Sequence, residues 1–123
     1  MKTVLIVDDD LGFAFWLGQA LDRAGFETWP ARSVVAAQSL LAEVNLPVDL
    51  LVITSSLPWA PVLATHLGRT RADFKVIAVC DEPGDVVQSF PKVSAVRQKP
   101  QTIDAAARIE WVQFIKGVLE DQG

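Results

Sequence analysis

One cysteine, Cys80, in 123 residues rules out an internal disulfide and fits a reducing compartment. One histidine, His66, stands alone on a predicted helix and builds no metal or acid–base centre by itself, so a surface or packing role is expected. Basic charge is also short. The 11 Lys and Arg against 15 Asp and Glu leave a net charge of −4, which gives the domain no pull toward nucleic acid or anionic lipid. No apolar run approaches the roughly 20 residues that span a bilayer. The short apolar run after Met1-Lys2-Thr3 is stopped by Asp8, Asp9 and Asp10 before a signal-peptide core can form. These absences predict a cytoplasmic protein with no membrane partner.

What is present is apolar material in alternating patterns. Half the residues are hydrophobic and 21% are charged, enough for one packed core and too much for a disordered chain. Val4-Leu5-Ile6-Val7 and Leu50-Leu51-Val52-Ile53 read as strands buried on both faces. Phe26–Trp29, Val76–Cys80 and Ser94–Arg97 are the other predicted strands. Helical spacing runs from about Leu11 to Ala24 with Asp10 as N-cap and Gly25 as C-terminal stop. Further helices are predicted from Ser33 to about Val44, Pro61 to Arg71, weakly Asp85 to Phe90 after an Asp81–Gly84 loop, and from a Thr102 cap to about Glu120. The order is (βα)5. It predicts one domain over residues 1–123, flavodoxin-like, with a doubly wound parallel sheet of strand order 2-1-3-4-5.

In such sheets the site lies at the carboxyl ends of the strands. Those ends carry Asp8 and Asp9 after strand 1, Thr54 after strand 3, Cys80 after strand 4 and Lys99 after strand 5. Adjacent carboxylates repel and call for a compensating cation, whether Mg²⁺ or the ammonium of Lys99. Asp10 is accounted for by capping. Asp81 and Glu82 disfavour a thiolate at Cys80, which reads as a buried, inert thiol. Ser55 and Ser56 read as turn residues. No catalytic constellation emerges, and the chain is read as a non-enzyme.

The run Val4–Asp10, Leu21 with Ala24-Gly25-Phe26, Asp49–Ile53 leading to Leu57-Pro58, and Lys99-Pro100 together resemble the receiver domains of two-component response regulators over nearly the whole chain. The resemblance implies a phosphorelay: an aspartate ending strand 3 accepts a phosphoryl group, the acid pair helps it hold Mg²⁺, and the lysine contacts the phosphate. A strand-4 Ser or Thr and a strand-5 aromatic then relay the change. Asp8, Asp9 and Lys99 match. The acceptor position falls on Thr54, the hydroxyl on Cys80, the aromatic on Val96, and a loop glycine on Val62. Threonine forms no acyl phosphate and supplies no anionic ligand, so weak Mg²⁺ binding at Asp8 and Asp9 is the most expected. The resemblance also implies a cis Lys99–Pro100 bond.

The reading is thus a degenerate receiver that acts by protein–protein interaction. Trp59, in the loop after strand 3, is a candidate contact. On the final helix, the apolar residues spread over roughly 220° at roughly 100° per residue, beyond the stripe of ~100° that packing on a sheet needs. With Ile109, Val112 and Leu119 assigned to the sheet, Trp111, Phe114 and Val118 are left as a partner or homodimer face. The alternative is a flavodoxin-like binder of phosphate, nucleotide or flavin. Against it, three aspartates stand where a phosphate-binding turn needs N–H donors.

Overall fold

The computed structural model describes residues 2–69, 73–80 and 93–120. The predicted loop Asp81–Gly84 and helix Asp85–Phe90 lie outside the described residues, as does the expected helix end at Arg71. Five strands, β1 (Thr3–Val7), β2 (Glu27–Ala31), β3 (Leu50–Thr54), β4 (Lys75–Cys80) and β5 (Ala95–Gln98), form one parallel sheet in the order β2-β1-β3-β4-β5. Four described helices connect and cover them: α1 (Leu11–Arg23), α2 (Val34–Glu43), α3 (Ala60–Gly68) and α4 (Ala105–Glu120). The expected fold and strand order are both observed.

Alternation along the central strands explains the two layers. Leu5, Val7, Leu51 and Ile53 face one core with residues of α2 and α3, while Val4, Ile6, Leu50 and Val52 face the other with residues of α1 and α4. Every residue of β1 and β3 is buried, so both runs lack the polar alternation of a half-exposed strand.

Local chemistry sets the element ends. Asp10 Oδ1 accepts from the Phe13 N–H, and Ser33 Oγ from the Ala36 N–H, as expected of N-caps. Gly25 adopts φ +96, and the Phe26 and Gly25 N–H groups return to the Leu21 and Asp22 carbonyls, a Schellman closure of α1. The cap of α4 differs from expectation: Asp104 accepts from the Ala107 N–H at 2.8 Å, and the Thr102 hydroxyl braces that carboxylate at 3.2 Å. Pro30 lies in β2 without cost. Glu27 donates to the Lys2 carbonyl and Ala31 accepts from Asp8, so residues 27, 29 and 31 turn their peptide groups toward β1 and residue 30 faces the open edge. There a missing N–H breaks no ladder bond and blunts the edge against further strand pairing.

Candidate functional site

Strand register brings the site together. Val7 pairs with Ile53, Thr54 with Val79 and Cys80 with Gln98, so Asp8, Thr54, Cys80 and Lys99 meet at one edge of the sheet. Main-chain bonds fix the two outer members: the Asp8 N–H donates to the Ala31 carbonyl, and the Lys99 N–H to the Cys80 carbonyl.

Asp8 is 1% exposed. Its Oδ1 accepts from the Asp10 N–H at 2.9 Å and from Lys99 Nζ at 3.1 Å. Nζ is also 3.0 Å from Oδ2, an ionic approach off hydrogen-bond alignment. The lysine side chain is itself largely sheltered, with Nζ 5.2 Å from the Phe13 ring centroid. The second acid near it is Asp10, at 4.0 Å, which also caps α1, and Asp9 is exposed.

Thr54 is 2% exposed, and its hydroxyl has no hydrogen-bond partner among the described residues. Leaving such a group buried costs about 1–3 kcal/mol. Cys80 is buried, as expected. The residues do not fit a divalent cation well. Asp8 is already paired with Lys99, Asp9 is exposed, and Thr54 brings no charge. Among the described residues no group of three or more His, Cys, Asp or Glu side chains is placed to hold a metal.

The Lys99–Pro100 bond is trans, against expectation, since the described residues contain no cis peptide. The lysine is aimed by the end of β5 instead: the bond from its N–H to Cys80 sets the backbone, and the trans form avoids the cis penalty of about 0.5–1 kcal/mol.

Trp59 caps α3 without a side-chain bond, at φ 68, a left-handed conformation that disfavours a bulky residue. The indole is 68% exposed, and Val62 beside it is 52% exposed. The sequence offers Trp59 as a candidate contact, but neither the exposure of its ring nor the strained backbone beneath it is readable there. Val96 is exposed and His66 lies on the surface.

The face assigned to α4 is corrected. Trp111 is 1% exposed and packs edge-on against Phe13, with centroids 5.4 Å apart. Ala107 and Ile115, one turn to either side, complete the buried stripe, while Ile109 is 59% exposed. Trp111 carries the largest apolar surface on the helix, so it centres the stripe, and Ile109 lies roughly 160° away at about 100° per residue. Phe114 and Val118 are half-buried at its border. Arg97 lies over both rings, 4.7 Å from Phe114 and 5.2 Å from Trp111, and pairs with Glu110 at 3.7 Å. No sequence signal had linked Arg97 to this face.

No protein-family model and no curated protein matches the chain. Solved structures do. A CheY-like response regulator receiver domain protein from Methanospirillum hungatei superposes with a TM-score of 0.78 at 22% identity, over 98% of this chain and 94% of that one. The non-phosphorylated HemR receiver domain of Leptospira biflexa gives 0.76 at 18%, covering 100% and 98%. The response regulator TrrA of Thermotoga maritima, solved with Mg²⁺ and BeF, gives 0.69 at 20%, covering 96% and 99%. At these identities the likeness is one of fold, and the chain has the fold of the receiver domains.

Proposed function

We propose that the chain is a receiver-type signalling module that works by binding a protein partner, without phosphorylation at the strand-3 terminus. The observation that carries this reading is the buried Thr54 where the sheet edge would need a carboxylate, beside an Asp8 whose charge is already balanced by Lys99. A hydroxyl under the protein surface neither forms an acyl phosphate nor meets a kinase. Mg²⁺ has to displace Lys99 and so binds weakly. Cys80 and Val96 lack the hydroxyl and the ring of the resembling relay. Trp59 supports a binding role. A bulky residue is kept in a costly conformation with its indole in water, and tryptophan is enriched at binding hot spots. Phe114 and Val118, at the border of α4, are secondary contact residues, and self-association through them is the simplest form of partnership.

The test is intact-mass measurement after acetyl phosphate and Mg²⁺. An unmodified mass supports the reading; a stoichiometric adduct of one phosphoryl group overturns it.

A further inference from the structure

We infer that the chain pairs with a second copy of itself across the groove between α1 and the β2 edge, in a two-fold arrangement that seats Phe15 of each copy in the other's hollow. This goes beyond the proposed binding role. It concerns the β2 side of α1, includes no residue of α4, and is independent of the chemistry at Thr54.

A hollow of about 270 Å³ opens between the helix and the strand. Ala14, Gly18 and Asp22 line it from α1, Thr28 and Pro30 from β2, and Phe15 stands at its border, 53% exposed. Gly18 keeps the floor low. A Cβ there would meet Thr28 Oγ1 at 3.6 Å, the hydroxyl that donates to the Gly18 carbonyl. A cavity of about 150 Å³ already holds a benzene-sized ring, so the hollow has room for a phenylalanine. Phe15, with Leu11 40% exposed one turn earlier, is an apolar knob that its own chain does not cover.

The order of groups along this face selects the occupant. α1 and β2 run in opposite directions, since the Phe26 N–H returns to the Leu21 carbonyl and the Asp8 N–H reaches the Ala31 carbonyl. Asp22 therefore lies at one end of the groove and Arg32 at the other. Arg32 follows Thr28 and Pro30 at the period of two that keeps side chains on one side of a strand, while Trp29 and Ala31 face the opposite core. Neither Asp22 nor Arg32 has an ion-pair partner among the described residues. From end to end the face reads cation, apolar knob, hollow, anion. A copy related by a two-fold axis between Phe15 and Gly18 lays knob on hollow and cation on anion, twice over. The face is its own complement, and the contact closes on itself as a dimer.

Sedimentation equilibrium of the full chain, without phosphodonor, tests this from micromolar to millimolar concentration. The wild type should form dimers. Phe15→Glu should weaken them by roughly a hundredfold, because each dimer loses two rings. Asp22→Lys and Arg32→Glu should each weaken them by roughly tenfold, an effect that shrinks with added salt. The combined Asp22→Lys/Arg32→Glu protein restores both pairs and should return to within about threefold of wild type. A wild type that stays monomeric overturns the inference, as does a dimer indifferent to Phe15→Glu or a double reversal no tighter than the single ones. If Phe15→Glu unfolds, the charge reversals, both at exposed residues, decide alone. A dimer that survives Phe15→Glu and is lost with Phe114→Glu lies on α4 and overturns the inference equally.

Discussion

Lys99 Nζ approaches both carboxylate oxygens of Asp8, at 3.1 and 3.0 Å, across a separation of 91 residues. This pair ties the end of β5 to the end of β1, at the same sheet edge as Thr54, whose hydroxyl has no partner among the described residues. It places a protein cation where a receptive acidic pocket would admit a metal.

Breaking the pair exposes its worth. Lys99→Met leaves the Asp8 carboxylate buried without its cation and should cost about 3 kcal/mol in urea unfolding. Adding Asp8→Asn should recover part of the loss, because both charges are then gone. The single variant should also bind Mg²⁺ more tightly than wild type by calorimetry. Equal Mg²⁺ affinity would mean that Lys99 does not guard the acid.

Thr54→Val should stabilise the protein by about 1 kcal/mol, since a methyl replaces a buried hydroxyl with no partner at nearly constant shape. Thr54→Asp should destabilise it, by placing a second carboxylate beside Asp8. It should not restore a phosphorylation response, because Cys80 and Val96 stay unchanged. A destabilised Thr54→Val would reveal a bound water or a partner for that hydroxyl.

Trp59→Gly should raise stability by about 1 kcal/mol, because glycine adopts φ 68 without the clash that tryptophan suffers. The same change should weaken partner binding. Circular dichroism melts read the first effect. A lower midpoint would mean that the indole packs usefully where it stands.

The acidic limb of stability should carry a mark of Asp104. The Ala107 N–H, and then the Thr102 hydroxyl, hold its carboxyl below the ordinary 3.8. A depressed carboxyl contributes its stability fully above the unfolded value and loses it as pH falls through the folded one. The difference between wild type and Asp104→Asn should therefore shrink on acidification below about pH 4. A constant difference down to the lowest folded pH would contradict this account of the cap.

The sheet was legible because its central strands are uniformly apolar and bounded by caps that act locally, as Asp10, Ser33 and Gly25 do. The meeting of Asp8 and Lys99 followed from strand order together with the family resemblance. The orientation of α4 was not legible. Its apolar residues spread too widely for periodicity to choose a face, and the choice was made by one tertiary contact, Trp111 on Phe13. Trp111→Ala should accordingly cost about 3–5 kcal/mol as a core deletion, and Ile109→Ala less than about 0.5 kcal/mol. The left-handed Trp59 and the trans Lys99–Pro100 bond escaped for a related reason: backbone state at a loop depends on how the flanking elements are anchored, which local residue preference records weakly.

The central claim is that this pocket does not take up phosphate or transmit its arrival. Amide spectra of the protein with Mg²⁺, before and after adding beryllofluoride, test it most directly. The account predicts unchanged resonances at Asp8, Thr54 and Lys99 and along β5 and α4. A saturable shift at Thr54 that spreads into β5 and α4 would contradict it.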